Sequence, residues 1–189
     1  MQTRSARVLT EIPGPASRAL IQRESGYLAP GLQSIGLFSG LAFAGGRGAR
    51  LTDVDGNSFI DFTAGVGVAS LGHAHPAYVQ ALAEQLDCLS VGSYTSQARV
   101  EFLEELAPYL PPGLDRMQFY SGGAEAVEAA LRMARSFTGR FEVISFWGGF
   151  HGKTGSTLGL SGPDVKQGLG PLHPGVHNVP YPDWARPPL

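Results

Sequence analysis

The sequence SGGAEAVEAALRMAR, residues 121–135, decides how the fold of this 189-residue chain is read. Two glycines, Gly122 and Gly123, precede a segment of strong helix formers, so the backbone can turn tightly and then begin a helix. The first turn of such a helix offers unpaired N–H groups and the positive end of its dipole, which together favour an anion such as phosphate. An ordinary helix start after a glycine turn explains the same residues, so the stretch alone leaves both interpretations open.

The segments on either side of this helix indicate a βαβ unit. MQFY, residues 117–120, and FEVISFW, residues 141–147, are short and apolar, as strands are. Parallel strands joined by a helix have their carboxyl ends at one edge of the sheet, where ligands of open α/β sheets bind. The loop GGFHGKT, residues 148–154, is therefore expected beside the glycine pair.

Local patterns predict the remaining elements. The predictions are a surface arm over residues 1–14, a helix over 17–24, a hairpin over 45–64 with its turn at Asp55-Gly56, core-facing helices around 79–86 and 100–110, and a short helix near 154–160. The second core-facing helix begins at about Ser96 and is stopped by Pro111, Pro112 and Gly113. The chain after residue 160 reads mainly as loop.

Composition excludes several classes of partner. The chain has 43% apolar residues, enough for a substantial core, and a net charge of −2, which provides no field for nucleic acid or acidic membranes. Its single cysteine, Cys88, cannot form an internal disulfide and fits a reducing compartment. The first residues lack the continuous apolar region of a signal peptide, so the cytoplasm is the expected location.

Two groups of side chains resemble metal ligands only superficially. Asp53 and Asp55 begin like a calcium loop, but the later ligands and the closing glutamate are absent. His73 and His75 are two residues apart, and no third ligand lies at a suitable spacing. A helix start before Pro76 explains this passage better, so no metal is predicted.

Four passages in one order resemble the front part of a known family. The hairpin LTDVDGNSFIDFTAG, then SLGHAHP, FYSGGAEAVEAALRMAR and WGGFHGKT are similar to class III (omega-type) aminotransferases, and most similar to 4-aminobutyrate aminotransferases. The resemblance runs from about residue 14 to residue 183. It implies the α/β fold of pyridoxal-phosphate-dependent transferases (aspartate aminotransferase, fold type I), with an incomplete, mainly parallel sheet and flanking helices. Residues 1–64 would then be the arm, helix and hairpin of the small domain, and residues 65–189 the first part of the large cofactor-binding domain.

The resemblance assigns the cofactor, pyridoxal 5'-phosphate, to residues of the two loops. Gly123 and Ala124 match positions whose backbone N–H groups hold the cofactor phosphate. Gly122 stands just before them, where the family often has a hydroxyl residue, and Ser121 is a neighbouring substitute. Phe150 matches the aromatic residue that stacks on the pyridine ring, a flat apolar face that does not compete for the ring nitrogen. His151 follows it as a supporting residue, and a purely structural histidine is an equal alternative.

The resemblance also implies two substrate contacts. Lys153 stands where 4-aminobutyrate enzymes usually have an arginine that binds the substrate carboxylate, so the positive charge is kept but the bidentate fork is lost. Val66 matches an apolar position near the substrate, and Tyr94 is a possible second wall. A solvated lysine and ordinary packing of Val66 and Tyr94 are the alternative explanations.

Half of the family's chemistry matches no residue of this sequence. In the resembling enzymes a lysine forms a Schiff base with the cofactor and an aspartate pairs with the pyridinium nitrogen, and both come later in the chain. Lys153 and Lys166 are the only lysines, and neither lies in that segment. No catalytic residue is therefore predicted, and the expectation is an N-terminal fragment that does not transaminate alone.

The resemblance further implies a small amino donor, an oxo-acid acceptor and a homodimer in the full-length form. A truncated paralogue acting as a non-catalytic accessory or binding subunit is the alternative. Aminomutases and decarboxylases of related fold are not separated from transaminases by these residues.

Overall fold

The computed structural model describes residues 5–29 and 38–185. Residues 1–4 of the predicted arm and residues 186–189 of the predicted large domain lie outside the described residues. Contacts divide the chain into two compact units, Met1–Ser96 and Gln97–Leu189. The predicted domain boundary after Ala64 stays a prediction. None of the described helices combines the length and the apolar character needed to cross a membrane.

The first unit contains a three-stranded antiparallel sheet. Its strands are β1 (Phe43–Arg47), β2 (Arg50–Asp53) and β3 (Ser58–Ile60), in the order β1-β2-β3. Leu51 pairs with Gly46 on one side and with Phe59 on the other. The hairpin predicted around Asp55-Gly56 is confirmed as β2–β3, and β1 adds a strand that begins two residues before the predicted hairpin.

The first helix, α1 (Pro15–Glu24), is fastened to this sheet by an aspartate from the β2–β3 turn. The Asp55 carboxylate accepts hydrogen bonds from the Ala16 N–H at 2.7 Å, the Ser17 N–H at 2.8 Å and the Ser17 hydroxyl at 2.6 Å. Asp55 therefore caps the helix that starts forty residues before it in the chain, which explains this acidic turn without a metal.

The described part of the N-terminal arm is also bonded to the sheet. Arg7 forms an isolated antiparallel bridge with Ser58, and the Asn57 side chain accepts from the N–H groups of Leu9 at 2.6 Å and Thr10 at 3.0 Å. The lack of periodicity in the arm predicts a surface segment. Its backbone hydrogen bonds to a distant turn are not visible in a local pattern.

The glycine-rich passage after β3 forms a left-handed turn over Ala64–Gly67, and α2 (Pro76–Cys88) follows it. The carboxylate of Asp61 accepts from the N–H groups of Thr63 at 2.9 Å and Ala64 at 2.8 Å, and it contacts His73 Nε2 at 2.7 Å. His73 is thus explained as the partner of Asp61. Within the described residues no group of three or more metal-ligating side chains exists.

The second unit contains the predicted central helix and a parallel pair of strands. Its elements are α3 (Gln97–Leu106), a 3-10 turn (Ala107–Tyr109), α4 (Gly123–Thr138), β4 (Val143–Phe146), α5 (Gly155–Leu160), a 3-10 turn (Pro163–Val165) and β5 (Val176–Val179). β4 and β5 are parallel, with Ser145 opposite Asn178, and α5 lies on the connection between them.

The prediction of a strand at residues 117–120 is wrong. These residues belong to none of the strands in the described chain, and the parallel partner of β4 is β5, which the sequence pattern did not reveal. A strand is stabilised by pairing, and the described residues provide no partner for 117–120, so its apolar character alone does not make it a strand. The βαβ unit that does form is β4-α5-β5.

The two helices predicted to face a core are present, but no residue of α2 or α3 is buried. Val79 and Leu82 of α2 and Phe102 of α3 remain exposed. Among the described elements, none packs extensively on α2, and only the adjoining 3-10 turn packs on α3. Their apolar faces are therefore real, but the described residues do not cover them.

Candidate cofactor-binding site

The glycine loop lies at the start of α4, and the described residues leave that helix end without a side-chain cap. Gly122 is the N-cap residue, with φ −158° and ψ 163°, and the helical ladder begins with the bond from Ala126 N to Gly122 O at 3.1 Å. The amides of Gly123 and Ala124 therefore lie outside the ladder, at the positive end of a 16-residue helix.

The space around these two glycines fits a bound anion. A Cβ built at Gly122 or at Gly123 would meet no atom of another part of the described chain within 4 Å, so the side-chain positions of both glycines are open. Glu125 lies in the first turn of α4, where its negative charge interacts favourably with the helix dipole, but its side chain is exposed. An uncapped helix start with open space is a suitable cradle for the phosphate of pyridoxal phosphate.

The loop from β4 to α5 makes direct contact with this helix start. Gly152 is buried, and a Cβ placed on it would lie 2.5 Å from Ala124 Cβ and 2.8 Å from Thr157 Oγ1. Its φ of +121° is strongly disfavoured for residues with a side chain. Only glycine therefore allows the two loops to approach this closely, and the predicted proximity of residues 122–124 and 148–154 is found.

A carboxylate on α4 forms a second link to the same loop. Glu128 Oε1 accepts from the Thr154 hydroxyl at 2.7 Å and from the N–H groups of Ser156 at 2.8 Å and Thr157 at 3.4 Å. Burial raises the pKa of the Glu128 carboxyl, but these hydrogen bonds outweigh burial and hold the pKa below its usual value. Glu128 is therefore the charged cap of α5.

Serine and threonine hydroxyls fix the other side of the loop. The Thr154 N–H donates to Thr157 Oγ1 at 3.0 Å, and the two hydroxyls are 2.7 Å apart. The buried Ser161 hydroxyl accepts from the His151 N–H at 3.3 Å and reaches Gly152 O at 3.2 Å. The loop is thus hydrogen-bonded at His151, Gly152 and Thr154.

The side chains predicted to meet the cofactor project from this fixed loop. Phe150 is 62% exposed. His151 is half-buried, with its backbone N–H bonded to Ser161, and Lys153 is exposed. The structure brings this loop to Gly123 and Ala124 through Gly152, while the individual roles of these side chains stay predictions.

The two predicted pocket residues of the first unit, Val66 and Tyr94, are exposed, and Val66 has an unusual backbone conformation. Val66 is 72% exposed and has φ +65°, in a run of positive φ values from Ala64 to Gly67. A β-branched residue in this region is strained, which is a frequent property of functional positions. Tyr94 is exposed as well.

The side chain of Lys166 is held by hydrogen bonds within the second unit. Its Nζ donates to Gly159 O at 3.0 Å and to Asn178 Oδ1 at 2.6 Å. Asn178 in turn donates to the Ser145 hydroxyl, which donates to Leu160 O at 2.8 Å. The lysine therefore joins the end of α5 to the parallel strands.

An open cleft of about 610 Å³ adjoins the glycine loop along one side of α4. Its lining residues are Phe119, Tyr120, Ser121, Glu125, Glu128 and Arg132. Ser121, the predicted substitute for the missing hydroxyl, borders this cleft, whereas Gly123, Ala124 and Phe150 do not.

Sequence reasoning missed Glu128 and Ser161. Glu128 reads as an ordinary polar position of a helix, and its partner segment begins 26 residues later. The S/T-x-x-S/T spacing of Thr154 and Thr157 at a helix start was a usable signal for the capping arrangement.

Comparison with known proteins identifies the family of the chain. The sequence model of the family "Aminotransferase class-III" matches residues 38–188, and the chain belongs to this family, whose members depend on pyridoxal phosphate. The chain is 41% identical over 153 residues to a diaminobutyrate–2-oxoglutarate aminotransferase of Haemophilus influenzae, covering 78% of this chain and 34% of the relative. It is 35% identical over 184 residues to a 4-aminobutyrate aminotransferase of Mycobacterium bovis, covering 93% and 40%.

Solved structures give the same fold. A thermostable (S)-enantioselective omega-transaminase from Thermomicrobium roseum aligns with a TM-score of 0.78 and 27% identity, over 88% of this chain and 40% of that one. The fold is therefore that of the pyridoxal-phosphate-dependent transferases, fold type I, in its N-terminal portion. The chain spans 34% to 40% of the length of the two curated relatives named above.

Proposed function

We propose that this chain binds the phosphate of pyridoxal 5'-phosphate at the start of α4 and places the cofactor ring against Phe150. Gly123 and Ala124 donate their N–H groups to the phosphate, Gly122 provides the open approach, and His151 supports the ring from the following position. The contact of Gly152 with Ala124 carries this proposal, because it sets the loop of Phe150 beside uncapped amides.

The corresponding activity of the whole protein is transamination between a small amino donor and an oxo-acid acceptor. Pyridoxal phosphate, when bound, supplies an electron sink for the bonds of the amino donor. The residues of this chain bind the phosphate, orient the ring and shield one face of it. Membership of the class-III family supports this assignment.

We propose that neither lysine of the chain links covalently to the cofactor, so the 189 residues do not transaminate alone. Lys166 is held by Gly159 O and Asn178 Oδ1, and Lys153 does not lie in the segment where the resembling enzymes have their Schiff-base lysine. The test is borohydride reduction of the chain with pyridoxal phosphate, followed by peptide mass spectrometry. A stoichiometric adduct at one of these lysines contradicts the proposal.

Lys153 and Val66 are proposed as substrate contacts. Lys153 offers a point charge to a substrate carboxylate, and Val66 an apolar wall. In active holoenzyme, Lys153→Arg should lower KM for a carboxylate-bearing donor because a guanidinium pairs with both oxygens, and Lys153→Ala should raise it about tenfold. Equal KM values in all three proteins contradict the role of Lys153.

The assembly proposed for the whole protein is a cytoplasmic homodimer. The alternative is an accessory subunit that binds but does not catalyse, and the exposed apolar faces of α2 and α3 suit either assembly. The reading frame after Leu189 discriminates them. A continuation with a family lysine and aspartate supports the transaminase, and a stop codon followed by an unrelated gene supports the accessory subunit.

A pair of substitutions at Gly123 tests the cofactor cradle. Gly123→Pro removes one N–H at the first helical position, where proline is tolerated, and Gly122 already has the extended conformation that precedes proline. Gly123→Ala keeps the N–H, and its Cβ meets no atom within 4 Å.

The ligand for this test is pyridoxamine 5'-phosphate, which has the same phosphate and ring but no aldehyde to react with lysines. Its affinity, measured by calorimetry, should fall at least about tenfold in Gly123→Pro, because a charge-assisted hydrogen bond is lost. The affinity of Gly123→Ala should stay near that of the parent chain. Equal affinities of all three proteins contradict the proposed cradle.

A further inference from the structure

We propose that Glu128 is a positioning residue for the cofactor ring, acting through the loop that carries Phe150. This inference rests on the proposed function of the glycine loop. Glu128 touches neither the glycine loop nor Phe150 in the described contacts, and its carboxylate instead binds the segment Thr154–Thr157 at the end of the ring-bearing loop.

The geometry of one oxygen carries the inference. Glu128 Oε1 receives the Thr154 hydroxyl and two backbone N–H groups at the start of α5, so one carboxylate on α4 fixes where α5 begins. Glu128 and the glycine loop share the same helix, and Glu128 is five residues after its first residue, Gly123. The phosphate amides and the anchor of the ring-bearing loop are therefore parts of one rigid element.

The hydroxyls of Thr154 and Thr157 link Glu128 to the rest of the loop. The Thr154 N–H donates to Thr157 Oγ1, and the Thr157 hydroxyl lies 2.7 Å from the Thr154 hydroxyl that donates to Glu128. Thr157 Oγ1 is also the atom against which Gly152 packs. Releasing Glu128 thus loosens the packing that holds Gly152 on Ala124, and with it the spacing between the phosphate and the ring.

This arrangement predicts that loss of Glu128 affects the binding of two ligands differently. Inorganic phosphate needs only the amides of α4, whereas pyridoxamine 5'-phosphate also needs the ring-bearing loop at the correct distance. Loss of Glu128 should weaken binding of pyridoxamine 5'-phosphate and leave binding of inorganic phosphate unchanged. A defect in folding alone would weaken both.

The experiment uses the full 189-residue chain and its Glu128→Ala variant, with Glu104→Ala on the exposed side of α3 as a control for lost charge. Affinity for pyridoxamine 5'-phosphate is measured by fluorescence, and affinity for inorganic phosphate by competition. The circular dichroism induced in the pyridine absorption band reports the orientation of the ring. Thr154→Val provides a second variant that removes one donor to Glu128 and retains its two N–H donors.

In Glu128→Ala the dissociation constant for pyridoxamine 5'-phosphate should rise about tenfold and the induced dichroism should fall, with phosphate affinity within about twofold of the parent. Thr154→Val should show a smaller change in the same direction, and Glu104→Ala none. The inference is overturned if the parent binds and Glu128→Ala gives the same affinity and dichroism. It is also overturned if both ligands weaken equally. A parent chain that binds neither ligand refutes the proposed function itself.

Discussion

At the scale of single residues, Gly152 is the position where the two site loops meet. It combines burial, a φ of +121° and a contact that leaves no room for a Cβ beside Ala124. The sequence GGFHGKT predicts a loop beside the glycine pair, but it does not show which glycine requires its missing side chain. That information lies in the contact with α4, which no local pattern contains.

Gly152→Ala should therefore destabilise the second unit. The cost combines backbone strain with overpacking against Ala124 and amounts to roughly 2–4 kcal/mol. Gly155→Ala is the matched control three residues later, because a Cβ there meets no atom within 4 Å, and it should stay within about 1 kcal/mol of the parent. Urea unfolding measures both, and similar stabilities of the two variants contradict this account of Gly152.

At the scale of elements, Asp55 shows how a turn in one element fixes the start of another. The carboxylate caps α1 through the amides of Ala16 and Ser17. Burial raises the pKa of Asp55. The hydrogen bonds from the Ser17 hydroxyl and these amides, together with the charge of Arg18, outweigh burial and hold the pKa below the ordinary value of 3.8.

The lowered pKa of Asp55 gives a pH-dependent prediction for α1. A carboxyl with a depressed pKa in the folded state stabilises that state above pH 3.8, and this contribution is lost as the pH falls through the folded-state pKa. Hydrogen exchange should therefore show that α1 loses protection in this acidic range. Asp55→Asn should have weaker protection at neutral pH and little further loss on acidification. An identical pH profile for the parent and Asp55→Asn contradicts the cap.

The elements also show which parts of the fold follow from sequence. α4, α5 and the hairpin β2–β3 are local structures whose helical periodicity and turn residues are sufficient signals, and their predictions are confirmed. The strand predicted at 117–120 and the missed strand β5 depend on pairing between distant segments. Short apolar runs do not encode their partners, so both errors concern strands rather than helices.

At the scale of the whole molecule, many large apolar side chains of the described chain are exposed. Phe137 and Trp184 are 94% and 93% exposed, and the apolar faces of α2 and α3 are uncovered. The sequence pattern identified these faces as core-facing, but it could not identify what covers them. Apolar surface of this extent favours association.

The isolated chain should therefore self-associate in solution. Sedimentation velocity over a concentration series should show a weight-average mass that rises with concentration, and a hydrophobic dye should bind strongly at neutral pH. A monodisperse monomer with cooperative unfolding would contradict this prediction. Such a result would also favour a self-sufficient accessory subunit over a part of a larger enzyme.

In the proposed site, the amides of Gly123 and Ala124 hold the cofactor phosphate, with the ring on Phe150. A titration of the ¹⁵N-labelled chain with pyridoxamine 5'-phosphate, followed by backbone amide NMR, tests it at the residues concerned. The largest saturable shifts should occur at Gly123 and Ala124, with inorganic phosphate reproducing these shifts and leaving Phe150 unshifted. Largest shifts elsewhere in the chain, or no saturable shift at these two amides, would contradict it.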